Sequence, residues 1–334
     1  MTSAQLIQII KSLTGESLRQ AFASWLFPLL LIYCGLIITL AGTIRFTNIP
    51  LASDYESAER APLEEAKRLG TEELKKTGVP LIQGEIQILF GSIKIPWVKF
   101  RENAVNYFET LLVFFTSDAA GIIFTLIWTA GFIPEFLQGF WWNMLRIRPI
   151  SLTLLLITKT IAIFLVVLTY ATILISGTWV ALGFATGVWE GNFLWAIPIL
   201  LLQFVCFFPV SIFLGTWTRS TTVAIFGSIA FWFICWLVNH ARMNLFLSDA
   251  SNSTSDLSSW FIHFSYWILP KPIDFSIFLS DLMGTMKEFP PPQSWSNAYE
   301  LGKVIPKLSI VSSLISSAVV FWIACIELNN PSKE

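Results

Sequence analysis

Asp118 is the one acid set well inside an uncharged stretch long enough to cross a bilayer, in a chain of 334 residues with 22 acidic and 21 basic side chains. A carboxylate at that depth must be protonated, hydrogen-bonded to a neighbouring helix or turned to water, and ionisable groups inside membrane segments commonly mark transport paths. Its side chain is too short to reach far toward the interface. The sequence therefore leaves three placements open: a pathway, a helix-packing hydrogen bond, or an edge position. Lys159 and Glu327 stand at the ends of apolar runs. Lys159 is expected to lay its stem on apolar surface with the ammonium at the membrane edge, and Glu327 to close the last run near the same face.

Other chemistry is sparse. His240 and His263 are the only imidazoles, both at the borders of apolar segments, where an interfacial hydrogen bond is the ordinary role. Cys34, Cys206, Cys235 and Cys325 lie in four separate runs, so they read as small packing residues and not as a redox pair or metal site. No GxxxxGK[ST] loop, HExxH motif or base beside a nucleophile occurs in the sequence. The chain is expected to be no enzyme and to bind no metal or cofactor of its own, so any ATP hydrolysis belongs to another chain.

The elements that must hold these residues follow from composition. Hydrophobic residues make up 54% and charged residues 13%, against about 25% charged in a soluble domain, and the mean hydropathy is +0.66. Nucleic-acid binding and disorder both need more charge than this. Seven charges fall between Leu111 and His240, and nineteen between Arg45 and Glu109. Six uncharged or nearly uncharged runs approach the ~20 residues that a helix needs to cross the hydrocarbon: 25–44, 111–134, 160–183, 193–217, 221–239 and 308–326. Each must be helical, because a lone strand in lipid leaves its amides unpaired. With the N-terminus in the cytoplasm, Lys11, Arg19, Arg146, Arg148, Lys159, Arg219 and Lys333 all fall inside, as the positive-inside rule prefers. Six spans return the 327–334 tail to the cytoplasm.

The remaining segments have patterns of their own. Residues 1–24 carry Leu6, Ile9, Ile10, Leu13 and Leu18 at near-helical spacing, which suits a retained helix in the cytoplasmic interface. The 45–110 region predicts a small α+β extracytoplasmic cap: a solvated helix over Asp54 to Thr77 and a hairpin from Glu85 to Ile95 about Gly91-Ser92. In the 240–307 region, Trp260 to Leu269 is too short to span and ends at Pro270-Lys271-Pro272. Apolar residues from Phe275 to Met286 then recur at helical spacing until Pro290. This predicts two outer half-helices before the last span. The fold class is thus an all-α polytopic membrane protein with a small cap.

The 135–159 connection is the longest on the cytoplasmic side. It places Trp141, Trp142, Met144 and Leu145 beside Arg146 and Arg148, a composition suited to docking in a partner's groove or to lying at headgroup depth. Gly121, the run from Thr129 to Leu137, Arg148-Pro149-Ile150-Ser151 and Lys159 resemble the permease subunit of type-2 ABC exporters, whose second span leads to a [KR]-P-[IV]-S-R signature followed by Gly-Lys. Here Leu152 replaces the final Arg, and Thr158 precedes Lys159 where the family has Gly. The order of spans, cap and half-helices is similar too. The hairpin, Gly187-Val188-Trp189 and the stretch from Tyr266 to Pro272 look like a bacterial branch of that family. The resemblance implies a cytoplasmic ABC ATPase as partner, carrying ATP and Mg, and a homodimer or a heterodimer with a related permease in the bacterial inner membrane. It also implies an ATPase-coupling role for Glu135, Gly139, Trp141, Trp142, Arg146, Arg148, Pro149, Ile150 and Ser151. A non-transporting membrane scaffold and a secondary carrier are the competing expectations.

Overall fold

The computed structural model describes residues 3–48, 84–97, 101–138, 151–248, 256–286 and 304–329, together with 292, 295, 299 and 302. Helix α1 (Ser3–Ala23) turns at Ser24 and Trp25 into α2 (Leu26–Thr43). A three-stranded antiparallel sheet follows, β1 (Arg45–Asn48), β2 (Gly84–Ile88) and β3 (Ile93–Trp97). Then come α3 (Arg101–Thr116), α4 (Ala119–Thr129) and α5 (Phe132–Gln138), and the long α6 (Leu152–Thr186). A short 3-10 helix (Gly191–Trp195) leads into α7 (Ala196–Thr218), followed by α8 (Thr221–Ser248). The chain closes with α9 (Asp256–Ile268), α10 (Pro272–Leu282) and α11 (Pro306–Leu328).

Six segments are long and apolar enough to cross a membrane: Leu26–Thr43, Ala104–Gln138, Leu152–Thr186, Gly191–Thr218, Thr221–Leu245 and Pro306–Leu328. The protein is therefore a multi-pass, predominantly helical membrane protein. Large apolar side chains such as Leu36, Phe226, Ile315 and Trp322 remain exposed on these helices, as a lipid-facing surface requires. The core lies where α6 and α7 meet the other spans, through Leu174, Ile175, Leu200, Phe204 and Phe207, all buried.

Several span limits differ from those expected. The second span begins near Ala104 rather than Leu111 and is interrupted at Ser117 and Asp118 and again at Ala130 and Gly131. Glu109, which charge-counting assigned to the loop, is 2% exposed inside the bundle. The third span begins at Leu152, eight residues before the expected start. Lys159 marked that limit as a charge, but the run before it is apolar, and Ser151 starts the helix by accepting the Leu154 amide (3.3 Å) on its hydroxyl. At 35 residues α6 is about 52 Å long, so it projects beyond a ~30 Å core. Helix α8 runs to Ser248, so His240 and Arg242 stand on it and not in a loop. Glu327 lies within α11, which ends at Leu328.

The expected hairpin is present as β2 and β3, with Ile86 opposite Ile95. The sheet gains an unexpected partner in β1, where Phe46 faces Ile86; four residues carry too little alternation to be read as a strand. The Leu89 amide donates to Thr43 Oγ1 (3.2 Å), fastening the sheet to the end of α2. The helix expected over Asp54 to Thr77 lies outside the described residues, as do Gly139, Trp141, Trp142, Arg146, Arg148, Pro149 and Ile150. The half-helices are α9 and α10, with α10 packed against α7, α8 and α11. All four cysteines are buried and unpaired with one another.

Candidate functional site

Three polar clusters interrupt this apolar bundle. The first is at the break of the second span. Both the Ser117 and Asp118 amides return to the Val113 carbonyl (2.9 and 3.0 Å), which ends α3, and the Asp118 carbonyl then accepts the Ile122 amide (2.9 Å) to begin α4. Gly121 permits the turn, because any Cβ there would collide with the Thr116 carbonyl. The Phe115 carbonyl accepts the Tyr33 hydroxyl from α2. Asp118 thus sits at the N-terminus of α4, where the helix dipole favours its negative charge. Ser276 Oγ of α10 donates to Asp118 Oδ1 (2.6 Å). Gln203 of α7 lies beside the same carboxylate, fully buried, with its amide nitrogen toward Asp118 and its Oε1 without a hydrogen-bond partner. Asp118 is thereby hydrogen-bonded to the half-helix α10.

The second cluster surrounds Asp274 on α10, two residues before Ser276. Asp274 is 1% exposed, and Tyr266 and Ser309 both direct hydroxyls to its Oδ2. Lys271, equally buried, donates to Ser312 Oγ (2.7 Å) and to the Leu269 carbonyl (3.2 Å). The Arg242 guanidinium lies 3.6 Å from the Tyr266 ring centre and the Lys271 ammonium 4.7 Å from it, so the ring is shared by two cations. Desolvation lowers the Lys271 ammonium to about 8, partly offset by Asp274, and Arg242 adds to the lowering. Desolvation also raises the Asp274 carboxyl, against the two hydroxyl donors and both cations. Sequence reading passed over Asp274 and assigned Arg242 only to a long outer loop, a cation near an outer helix end that counts against the orientation. The only available signal was Asp274 flanked by Ile273 and Phe275 just after the Pro-Lys-Pro stop.

The third cluster is at the opposite end of the bundle and joins α1, α5 and α6. Lys159 Nζ donates to Gln20 Oε1 (3.0 Å) and approaches Glu16 (3.8 Å), while Gln20 Nε2 donates to Glu135 Oε2 (2.7 Å). Lys159 is fully buried and 5.0 Å from the Phe136 ring centre. Its stem does not lie on an open apolar surface: α1 covers it and supplies its partners. Asn329, just past α11, donates to Thr153 Oγ1 near the start of α6 (2.9 Å). Of the expected coupling residues, Glu135 joins this cluster, and Ser151 caps α6 at the other boundary of the 139–150 segment.

A further apolar groove of about 390 Å³ opens between α6, α7 and α11 past Ile161, Phe164, Phe208 and Phe321 and contains no ionisable side chain. Among the described residues, no group of three or more His, Cys, Asp or Glu side chains could hold a metal ion. Comparison with family models, with curated proteins and with solved structures gives no match.

Proposed function

We propose that this chain is the transmembrane permease subunit of an ATP-binding-cassette exporter, energised by a separate cytoplasmic ATPase that carries ATP and Mg. In this reading the chain pairs with a second copy or a related permease in the bacterial inner membrane, with the α1 face in the cytoplasm. The observation that carries it is the junction of α1, α5 and α6. Glu16, Gln20, Glu135 and Lys159 tie those helices together where the chain leaves for the segment bearing Trp141, Arg146 and the Arg148-Pro149-Ile150-Ser151 signature. A force applied to that segment would reach three helices at once, and packed helices move as rigid bodies when access alternates.

The decisive experiment is purification from native membranes. A stoichiometric ATPase is expected, and changing Trp141, Arg146 and Arg148 together to Ala should release it or uncouple hydrolysis from transport, since buried aromatic and Arg anchors cost about 2 kcal/mol or more on truncation. A correctly oriented triple mutant with intact assembly and unchanged hydrolysis refutes the docking assignment. Absence of any ATPase from the unmutated protein refutes the exporter reading and favours a scaffold.

The break at Asp118 favours a second reading, a secondary carrier, because discontinuous helices beside buried carboxylates are how carriers build binding sites. Substrate uptake driven by an ion gradient in vesicles that contain this chain alone would establish it.

A further inference from the structure

The break in the second span holds more buried polar atoms than its hydrogen bonds use. Thr116 Oγ1 and Ser117 Oγ are fully buried with no partner, and so is Oε1 of Gln203, whose amide nitrogen is turned to Asp118. Among the described residues no Lys or Arg forms an ion pair with Asp118. Ser276 supplies one hydroxyl and the Ala119 amide at the α4 N-terminus a further donor, but among the described residues no full positive charge stands against the carboxylate in this apolar bundle. The Thr116 carbonyl that ends α3 lies at the same break, against Gly121, and broken membrane helices use such carbonyls to coordinate cations.

We propose that this break is a binding site for a small monovalent cation of the sodium class, held by the Asp118 carboxylate, the Gln203 side-chain oxygen and oxygens of the Thr116–Ser117 turn. The donor set is entirely oxygen, as a hard cation prefers. One carboxylate balances one positive charge, whereas a divalent ion would leave a net charge in hydrocarbon at high cost. A proton alone would neutralise Asp118 but leave Gln203 Oε1 and two hydroxyls without partners. The assignment does not depend on the exporter reading, because it concerns the chain by itself.

The test is thermal unfolding of the purified full chain in nanodiscs, in NaCl, KCl or choline chloride at equal ionic strength and pH. A saturable rise in Tm with sodium, smaller with potassium and absent with choline, is expected, since a ligand bound only by the folded state stabilises by mass action. Asp118→Asn should abolish the sodium response, and Gln203→Leu should weaken the apparent sodium affinity about tenfold. Equal curves in sodium and choline overturn the proposal, as does a sodium response that survives in Asp118→Asn. A dependence on pH with none on sodium assigns the site to a proton and also overturns it. If Asp118→Asn fails to fold, Gln203→Leu and Ser117→Ala decide the matter, and an unchanged sodium affinity in both overturns the cation site.

Discussion

Ser276 on α10 donates a 2.6 Å hydrogen bond to Asp118 at the break of the second span, joining two residues 158 positions apart. Through this bond an inserted half-helix is fastened to the middle of a span, and the same helix carries Asp274 two residues earlier. A double-mutant cycle of Ser276→Ala and Asp118→Asn, read by thermal unfolding in choline chloride, should give a coupling energy of about 0.5–3 kcal/mol. Additive effects would mean that the bond does not hold α10 in place.

Gly121 fits against the Thr116 carbonyl with no room for a methyl group. Gly121→Ala should therefore destabilise the protein by about 1–3 kcal/mol by forcing the break apart. The neutral comparison is Gly35→Ala, where a Cβ meets nothing within 4 Å. Equal melting of the two variants would contradict the close packing at the break.

Lys159 is buried against α1, so Lys159→Met should strip Glu16 and Gln20 of their shared partner and loosen that helix. A loss of about 1–3 kcal/mol is expected, along with faster trypsin cleavage at Lys11 and Arg19. Adding Glu16→Gln should recover part of it, since the orphaned carboxylate is then removed. A cleavage rate unchanged by Lys159→Met would mean that the lysine does not hold α1 in place.

The Asp274 cluster makes stability depend on pH in two opposed ways. Lys271 titrates near 8 in the folded state and near 10.4 unfolded, so between those values the unfolded chain binds more protons and stability rises with pH. Asp274 is raised, so from the ordinary carboxylate range up to its folded value the native state binds the extra proton and stability falls with pH. Melting temperature followed from pH 7.5 to 10 should show an upward contribution that disappears in Lys271→Met. The same slope in the variant would assign it to another group.

The orientation proposed for the chain is testable by labelling. A cysteine introduced at Ser57 or Ser253 should react with an impermeant thiol reagent from the external side, against low background because the four native cysteines are buried. Labelling only after the cytoplasmic face is opened would invert the topology.

The sequence alone determined the six spans, because a bilayer imposes a length and an apolarity that any crossing helix must meet. It also determined the half-helices, through their prolines and short apolar runs, and the β2–β3 hairpin, through alternation about Gly91-Ser92. These are local signals, readable within about twenty residues. Where charge is tolerated emerges only from the packing of the helices. Counting charges started the third span after Lys159 and ended the fifth before His240 and Arg242, because a charge is costly in lipid; it is far less costly beside Glu16 and Gln20, or, for Arg242, over the Tyr266 ring. Those partners are distant in sequence, so no local pattern announces them. Asp118 was legible as an outlier, but Ser276 and Gln203 beside it were not, since a serine or glutamine in an apolar run carries no sign of which helix it will face. The insertion of α10 brings these groups together, and that insertion is a property of packing.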